Sequence, residues 1–222
     1  MNDSTRKLSD HMSFLSRLFQ NVAAEKTAAV LPPIATLWRE FEEWLAVHWP
    51  DGMADLNPGA SDEQLRALEA VLGVTLPTHF VECLKIHNGQ KGNAGGLFDN
   101  SEFLSTDAIV DQWNVWRDLL ESGEFEGITS EAEPGVRPDW WNRNWIPFTH
   151  NGGGDHYCLD LQPATGRAPG QIITMWHDMG ERRIVAASFH SWLADYLASI
   201  RAGKIVYSED FGGLVNSDYV EP

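Results

Sequence analysis

Four short segments that resemble strands follow one another between residues 145 and 187, and they constrain the fold more than any other feature of the sequence. They occupy residues 145–149, 156–161, 171–176 and 183–187, and Gly152-Gly153-Gly154, residues 163–170 and residues 179–181 supply the turns between them. Helical patterns precede this block and one more follows it. Helices, then an antiparallel series of strands, then a closing helix indicate the α+β class rather than a wound parallel sheet.

The helical patterns divide the chain into three parts. Apolar residues recur at helical spacing in residues 8–28, and Leu31-Pro32-Pro33 then interrupts the pattern. Further helices are predicted from Ile34 to His48, after Ser61, after Pro77, after Ser105 and from Phe189 to Ile200. The expected organisation is an N-terminal helical extension over residues 1–31, one domain over residues 32–203 and a C-terminal tail over residues 204–222.

The charge of the chain limits its partners. Its 32 acidic and 16 basic side chains give a formal net charge of −16, and the basic residues are scattered. Nucleic acid and anionic membranes would repel such a surface, whereas a basic protein would be attracted to it. From the sequence we expect neither a membrane-spanning stretch nor a signal peptide. Free thiols at Cys83 and Cys158 favour a cytoplasmic protein, although a disulfide between them stays open.

The acidic residues are unevenly distributed along the chain. Residues 99–139 contain eleven acidic and two basic side chains. Within this segment Asp107, Asp111, Asn114, Asp118 and Glu121 share one face of the predicted helix. Like charges at this spacing cost a few tenths of a kcal/mol per pair, so folding does not require the arrangement. Two interpretations stay open, a solvated helix face and a docking surface for a cationic partner.

No group of residues assembles a catalytic site. His79, Cys83 and His87 have a spacing that could present metal ligands, but core residues interleave with them and no fourth ligand is implied. The glycines of residues 151–155 lie between two predicted strands, where a phosphate-binding loop would need a helix. Alternation along the strand places His156 and Asp160 on one face and Asp155 on the other. We therefore expect neither enzymatic activity nor a metal or cofactor.

An ordered series of motifs over roughly residues 34–202 resembles the SUKH superfamily, which includes fungal cell-wall-assembly regulators and bacterial toxin-immunity proteins. The matching pieces are Leu56-Asn57-Pro58-Gly59-Ala60-Ser61, Leu68-Glu69, Leu72-Gly73, Leu76-Pro77, Phe80, His87-Asn88-Gly89-Gln90, Trp145-Ile146-Pro147-Phe148, Gly154-Asp155, residues 157–161 and Ser191-Trp192-Leu193. The resemblance implies a single domain in which helices pack on a bent antiparallel sheet of about four to six strands, with a groove at the face of the sheet. It also implies a binding role.

The leading hypothesis is a non-catalytic bacterial immunity protein that neutralises a toxin, such as a nuclease, through an acidic surface. Its partner would be a basic toxin domain, and the chain would be a monomer or a homodimer. The expected partner-binding residues are Asp107, Asp111, Asp118, Glu121, Glu124, Glu126, Trp145 and Asp155. The alternative is a regulatory ligand- or peptide-binding module of the cell-wall-assembly-regulator type that uses a tryptophan-lined groove of the sheet.

Overall fold

The computed structural model describes residues 30–220, and the predicted helix over residues 8–28 lies outside the described residues. Six α-helices occur in the described part of the chain. They are α1 (Ile34–His48), α2 (Pro50–Ala54), α3 (Asp62–Leu72), α4 (Thr78–Ile86), α5 (Thr106–Glu121) and α6 (Phe189–Arg201).

The residues predicted to cap the N-termini of two helices do form capping hydrogen bonds. Ser61 and Gln64 form a reciprocal capping box before α3, and the side chain of Ser105 accepts a hydrogen bond from the amide of Ala108 at the start of α5. These caps satisfy amide groups that would otherwise lack partners in the first turn. The local sequence therefore determines where these helices begin.

A four-stranded antiparallel sheet forms the centre of the molecule. The ten strands of the described residues are β1 (Glu102–Phe103), β2 (Glu131–Ala132), β3 (Trp145–Pro147), β4 (Thr149–His150), β5 (His156–Asp160), β6 (Gln171–Met175), β7 (Glu181–Arg182), β8 (Ile184–Ala186), β9 (Ile205–Ser208) and β10 (Gly213–Asn216). The central sheet has the order β3-β5-β6-β8, and its register shifts between Ile172 and Ile173. The α+β prediction is confirmed.

Three two-stranded sheets surround the central one. β1 pairs with β4, β2 pairs in parallel with β7, and β9 forms an antiparallel hairpin with β10. The residues after Gly203, predicted to form a tail, thus contain regular structure. Leu214 of this hairpin is completely buried, and its carbonyl accepts a hydrogen bond from the amide of Asn100. The segment 122–143 contributes β2 and the buried side chain of Trp141.

The core is unusually rich in aromatic side chains. Seven of the ten tryptophans are buried and the other three are partly buried. Cys83 and Cys158 are free thiols in the core, which answers the open question of a disulfide. No helix among the described residues meets the length and apolarity that crossing a membrane would need.

Two motif glycines have structural reasons to be glycine. Gly89 has a φ of +70°, and a Cβ there would lie 2.3 Å from the amide nitrogen of Ser105. Gly154 has a φ of +104°, and a Cβ there would lie 3.1 Å from Cβ of His177. A side chain is disfavoured at both positions because left-handed backbone strains L-residues. Neither glycine needs a ligand to explain it.

Candidate functional site

Helices and loops cover both faces of the central sheet. Side chains alternate along β5, so that Tyr157 packs against Trp192 of α6 while His156 packs against Trp116 of α5. All residues of β5 and β6 are buried. The open groove that the resemblance implied on the sheet is therefore not a feature of the described residues.

Trp145 lies beneath this cover and offers no surface to a partner. Its side chain is 0% exposed, and the guanidinium carbon of Arg182 lies 6.0 Å from the centroid of its ring. Trp140 flanks the same guanidinium at 5.1 Å. The expectation that Trp145 binds a partner directly is withdrawn, because strand alternation assigns a side chain to a face but does not reveal what covers that face.

Arg182 is a buried residue that the sequence analysis missed. Its Nη1 atom donates hydrogen bonds to the carbonyls of Met179 at 2.6 Å and Glu181 at 2.9 Å, and its Nη2 atom donates to the carbonyl of Trp140 at 2.8 Å. Burial lowers the pKa of the guanidinium to about 10. Little in the sequence marks Arg182, which lies between Glu181 and Arg183, although the upstream pair Trp140-Trp141 can stack on a cation.

Asp155 closes a loop. Its Oδ2 atom accepts a hydrogen bond from the side chain of Asn151 at 2.8 Å, and its Oδ1 atom accepts from the backbone amide and the Nδ1 atom of His177, both at 2.9 Å. These bonds join the β4–β5 turn to the end of β6. These hydrogen bonds explain why an aspartate occupies position 155, and no binding partner is needed to explain it. The participation of Asp155 in a binding surface therefore stays a prediction.

The residues that could suggest acid–base catalysis are buried and engaged. Trp116 donates to Nε2 of His156 at 3.0 Å, so Nδ1 carries the proton and donates to the carbonyl of Thr149 at 2.7 Å. Burial lowers the pKa of His156 to about 4. Asp160 lies on the same face, where it accepts a hydrogen bond from Gln171 at 2.8 Å. This arrangement binds α5 to the sheet and leaves no access for a substrate.

The residues with metal-ligand spacing on α4 do not converge. The indole of Trp38 donates to Sγ of Cys83, His87 bonds to Glu42 at 2.7 Å, and His79 packs on the ring of His190. Within the described part of the chain, one group brings three possible ligand atoms within 4.8 Å of one another. It consists of Asp155, His177 and Asp178. The hydrogen bonds of Asp155 to His177 already explain that proximity.

The outer face of α5 carries the predicted acidic residues at the surface. Asp107, Asp111, Asp118 and Glu121 are exposed on the helix, and Glu124 and Glu126 extend the exposed acidic surface beyond it. We call these six residues the acidic face. On the opposite side of the helix Ile109, Trp113 and Trp116 are buried, which confirms the division of the helix into two faces.

Two arginines partly neutralise one end of the acidic face. Arg117 donates to Asp118 at 2.7 Å, and Arg143 donates to Glu121 at 2.8 Å. These pairs are solvent-exposed and contribute at most about 1 kcal/mol each. Among the described residues, no ion pair involves Asp107, Asp111, Glu124 or Glu126. The segment therefore keeps most of its negative charge.

Apolar side chains interrupt the acidic face. Val115 and Leu119 lie one helical turn apart, and they are 54% and 37% exposed. Ile128, which follows Glu126, is 47% exposed. Single exposed apolar residues are ordinary on a protein surface. Three of them within a strongly acidic segment give this surface both charge and apolar area, and sequence analysis had noted only the charge.

Comparison with known proteins identifies a family match. The family model of the SMI1 / KNR4 family (SUKH-1) matches residues 59–195, which is more than half of the chain. The match includes the whole central sheet and all of α3 to α5.

Several curated proteins are similar to the chain at low identity. The cell wall biosynthesis/cell cycle regulator smi1 of Schizosaccharomyces pombe is 25% identical over 209 residues, which cover 88% of this chain and 42% of that protein. The cell wall assembly regulator SMI1 of Saccharomyces cerevisiae is 23% identical over 218 residues, covering 82% and 42% respectively. F-box only protein 3 of Bos taurus is 26% identical over 204 residues, covering 87% and 38%. The chain spans less than half the length of these relatives.

Proposed function

The chain belongs to the SMI1 / KNR4 family (SUKH-1), and from that membership we propose that it is a non-catalytic regulatory module that binds a protein partner. The names of the fungal relatives describe regulators of cell-wall synthesis or assembly. This favours the regulatory alternative over the immunity hypothesis. The relatives reported above are fungal and mammalian, and none of their names refers to a toxin, so the bacterial immunity assignment lacks support.

The observation that carries the proposed binding role is the acidic face of α5. Stability does not account for it, because like charges along one helix face repel and Asp118 lies at the negative end of the helix dipole. The buried face of α5 already fixes the helix against the sheet through Trp113 and Trp116. The outer face is free to serve binding, and its charge favours a basic partner.

The site differs from the one that the alternative hypothesis assumed. A tryptophan-lined groove on the sheet would need exposed rings, whereas Trp145 is completely buried. We therefore assign the partner to the acidic face and not to the sheet. The exposed side chains of Val115 and Leu119 would add apolar contacts at the centre of such an interface.

A chimera tests the proposed function. The matching segment of the cell wall assembly regulator of Saccharomyces cerevisiae is replaced with this chain, and growth is measured on medium containing a cell-wall-binding dye. The wild-type chimera should restore growth to cells that lack the regulator. Asp111→Lys with Asp118→Lys should abolish the rescue, because it reverses the charge of the surface.

Matched substitutions at exposed acids outside the acidic face provide the control. Asp51→Lys on α2 with Glu82→Lys on α4 makes the same change in net charge and should preserve the rescue. Equal rescue by both double variants would refute the acidic face as the binding surface. A folded wild-type chimera, present at normal abundance, that fails to rescue would refute the regulatory role itself.

A further inference from the structure

A second feature, on the other side of the sheet, combines a carboxylate with aromatic rings. Asp99 and Asn100 occupy the centre of the tight turn between Phe98 and Ser101, with φ angles of +52° and +56°. Reciprocal backbone hydrogen bonds between Phe98 and Ser101 close the turn at 2.9 and 3.0 Å. Aspartate and asparagine are the side chains other than glycine that tolerate this conformation best. The backbone thus holds Asp99 in one place.

Tyrosines from three elements lie around Asp99. Tyr157 of β5 donates its hydroxyl to Oδ2 of Asp99 at 3.1 Å, and the hydroxyl of Tyr196 on α6 accepts from the amide of Asp99 at 3.2 Å. Burial raises the pKa of Tyr219, in the final turn of the described chain, and the nearby charge of Asp99 raises that pKa further. Trp176 adds a fourth ring, since its centroid is 5.6 Å from that of Tyr157.

The cluster reaches the surface. Asp99, Trp176 and Tyr219 are partly exposed, whereas Tyr157 and Tyr196 are buried at 5% and 2% exposure. The buried phenols form the floor and the partly exposed residues the rim. Asp99 therefore lies at the surface end of the cluster and is partly open to solvent.

The charge of Asp99 lacks compensation within the described residues. No lysine, arginine or histidine among residues 30–220 lies within ion-pair distance of it. Burial raises the pKa of Asp99 to about 6. The hydrogen bond from Tyr157 acts in the opposite direction but offsets only part of this increase. An isolated carboxylate among rings is unfavourable unless a cation neutralises it.

The turn itself does not need this charge. Asparagine adopts the same backbone conformation, as the neighbouring Asn100 demonstrates, and its amide oxygen could accept the hydrogen bond from Tyr157. Aspartate at position 99 therefore adds a negative charge that neither the turn nor the hydrogen bond requires. Faces of tyrosine and tryptophan rings attract cations in the same place.

We infer that Asp99, Tyr157, Trp176 and Tyr219 form a binding site for the protonated side chain of a lysine or arginine in a peptide. The cation pairs with the carboxylate and donates hydrogen bonds to it. The aliphatic stem of the same side chain packs on the rim, where Trp176 provides apolar area. The site is separate from the acidic face and does not depend on the function proposed for that face.

NMR titration with small probes tests the site. N-acetyl-arginine amide and N-acetyl-lysine amide carry the two candidate cations, and N-acetyl-citrulline amide is a neutral analogue of nearly the same shape as the first. At least one cationic probe should shift the amide signals of Asp99 and Asn100 and the indole signal of Trp176. The citrulline probe should bind at least tenfold more weakly. Equal binding of the neutral probe, or shifts confined to other surfaces, would overturn the inference.

The pH dependence gives a second test that needs no variant. Tyr157, Tyr196 and Tyr219 are the titratable groups facing Asp99, and burial raises the pKa of each, so all three stay neutral below pH 8. Asp99 is then the group that titrates near pH 6. Binding of the cationic probe should weaken about tenfold from pH 7.5 to pH 5, because about a tenth of the carboxylate stays ionised. A constant affinity would contradict the proposed site.

A substitution that removes the charge of Asp99 but preserves the fold gives a third test. Asp99→Asn should keep the melting temperature within a few degrees and lower the affinity for the cationic probe at least tenfold. Asp51→Asn, an exposed acid on α2, should leave the affinity unchanged. Asp111→Lys with Asp118→Lys should also leave it unchanged, which distinguishes this site from the acidic face. Full binding by folded Asp99→Asn protein would refute the role of the carboxylate.

Discussion

The two faces of the central sheet are covered by different chemistry. On the side of α4 and α6, Phe148 contacts the rings of Phe80, Phe189 and Trp192, and dispersion and apolar burial dominate. On the side of α5, two polar side chains are buried. His156 accepts a hydrogen bond from the indole of Trp116, and Arg182 lies over the ring of Trp140 and donates to its carbonyl. Apolar contacts adjust to small changes in shape, whereas a buried polar group depends on each of its partners. The α5 side should therefore be the more sensitive one.

Removal of the buried guanidinium should have the largest effect. Arg182→Ala leaves the carbonyls of Met179, Glu181 and Trp140 without their donor and opens a cavity between two indoles. We expect the free energy of unfolding to fall by about 3–5 kcal/mol in urea titrations. The exposed neighbour Arg183→Ala should cost under about 0.5 kcal/mol. Similar losses in the two variants would show that the buried hydrogen bonds contribute little.

Acid should weaken the α5 side through His156. Its pKa is about 4 in the folded chain and 6.5 without the fold, so the folded state favours the neutral ring. This contribution is complete above pH 6.5 and disappears as the pH falls towards 4, for a loss of about 3 kcal/mol.

The measurement compares urea unfolding of wild type and His156→Gln between pH 7 and pH 4. Glutamine can retain one donor and one acceptor for Thr149 and Trp116 but does not titrate. The difference between the two proteins should shrink with acidification, and the opposing effect of Asp99 cancels because both proteins contain it. A pH-independent difference would mean that His156 titrates with the same pKa in the folded and the unfolded state.

The apolar face should tolerate a conservative change. Phe148→Leu removes part of a ring packed among four other rings but leaves no polar group without a partner. We expect a loss of about 1–1.5 kcal/mol in the same urea assay, smaller than that of Arg182→Ala. A loss above about 4 kcal/mol would remove the contrast between the two faces.

A substitution on the outer surface of α5 should change the free energy of unfolding least. Asp111→Asn removes one of several like charges, and the free energy of unfolding should rise by a few tenths of a kcal/mol at low salt. The gain should vanish in about 1 M salt because exposed charges are screened there. A substantial loss of stability would indicate that Asp111 makes a structural contact, and the acidic face would then have a role in folding.

Periodicity and capping residues were sufficient to predict most elements. Ser61 with Gln64, and Ser105, mark helix starts that their own side chains create, so the information is local. The strands of the central sheet were also predictable, as was the exposure of the acidic face, because apolar spacing leaves the opposite side of a helix in water. The C-terminal hairpin was not predicted, since its burial depends on a turn more than a hundred residues earlier in the chain.

The sequence by itself determined the α+β class, the charge and the two-sided character of α5, because each follows from composition or from contacts within a few residues. Only the tertiary structure decided that both faces of the central sheet are covered. It buried Trp145 beneath Arg182 and placed Asp99 beside Tyr157, 58 residues away in sequence. Such pairings depend on how the layers stack, and no local pattern encodes them. The physical reason is that burial is a property of the neighbours of a residue and not of the residue itself.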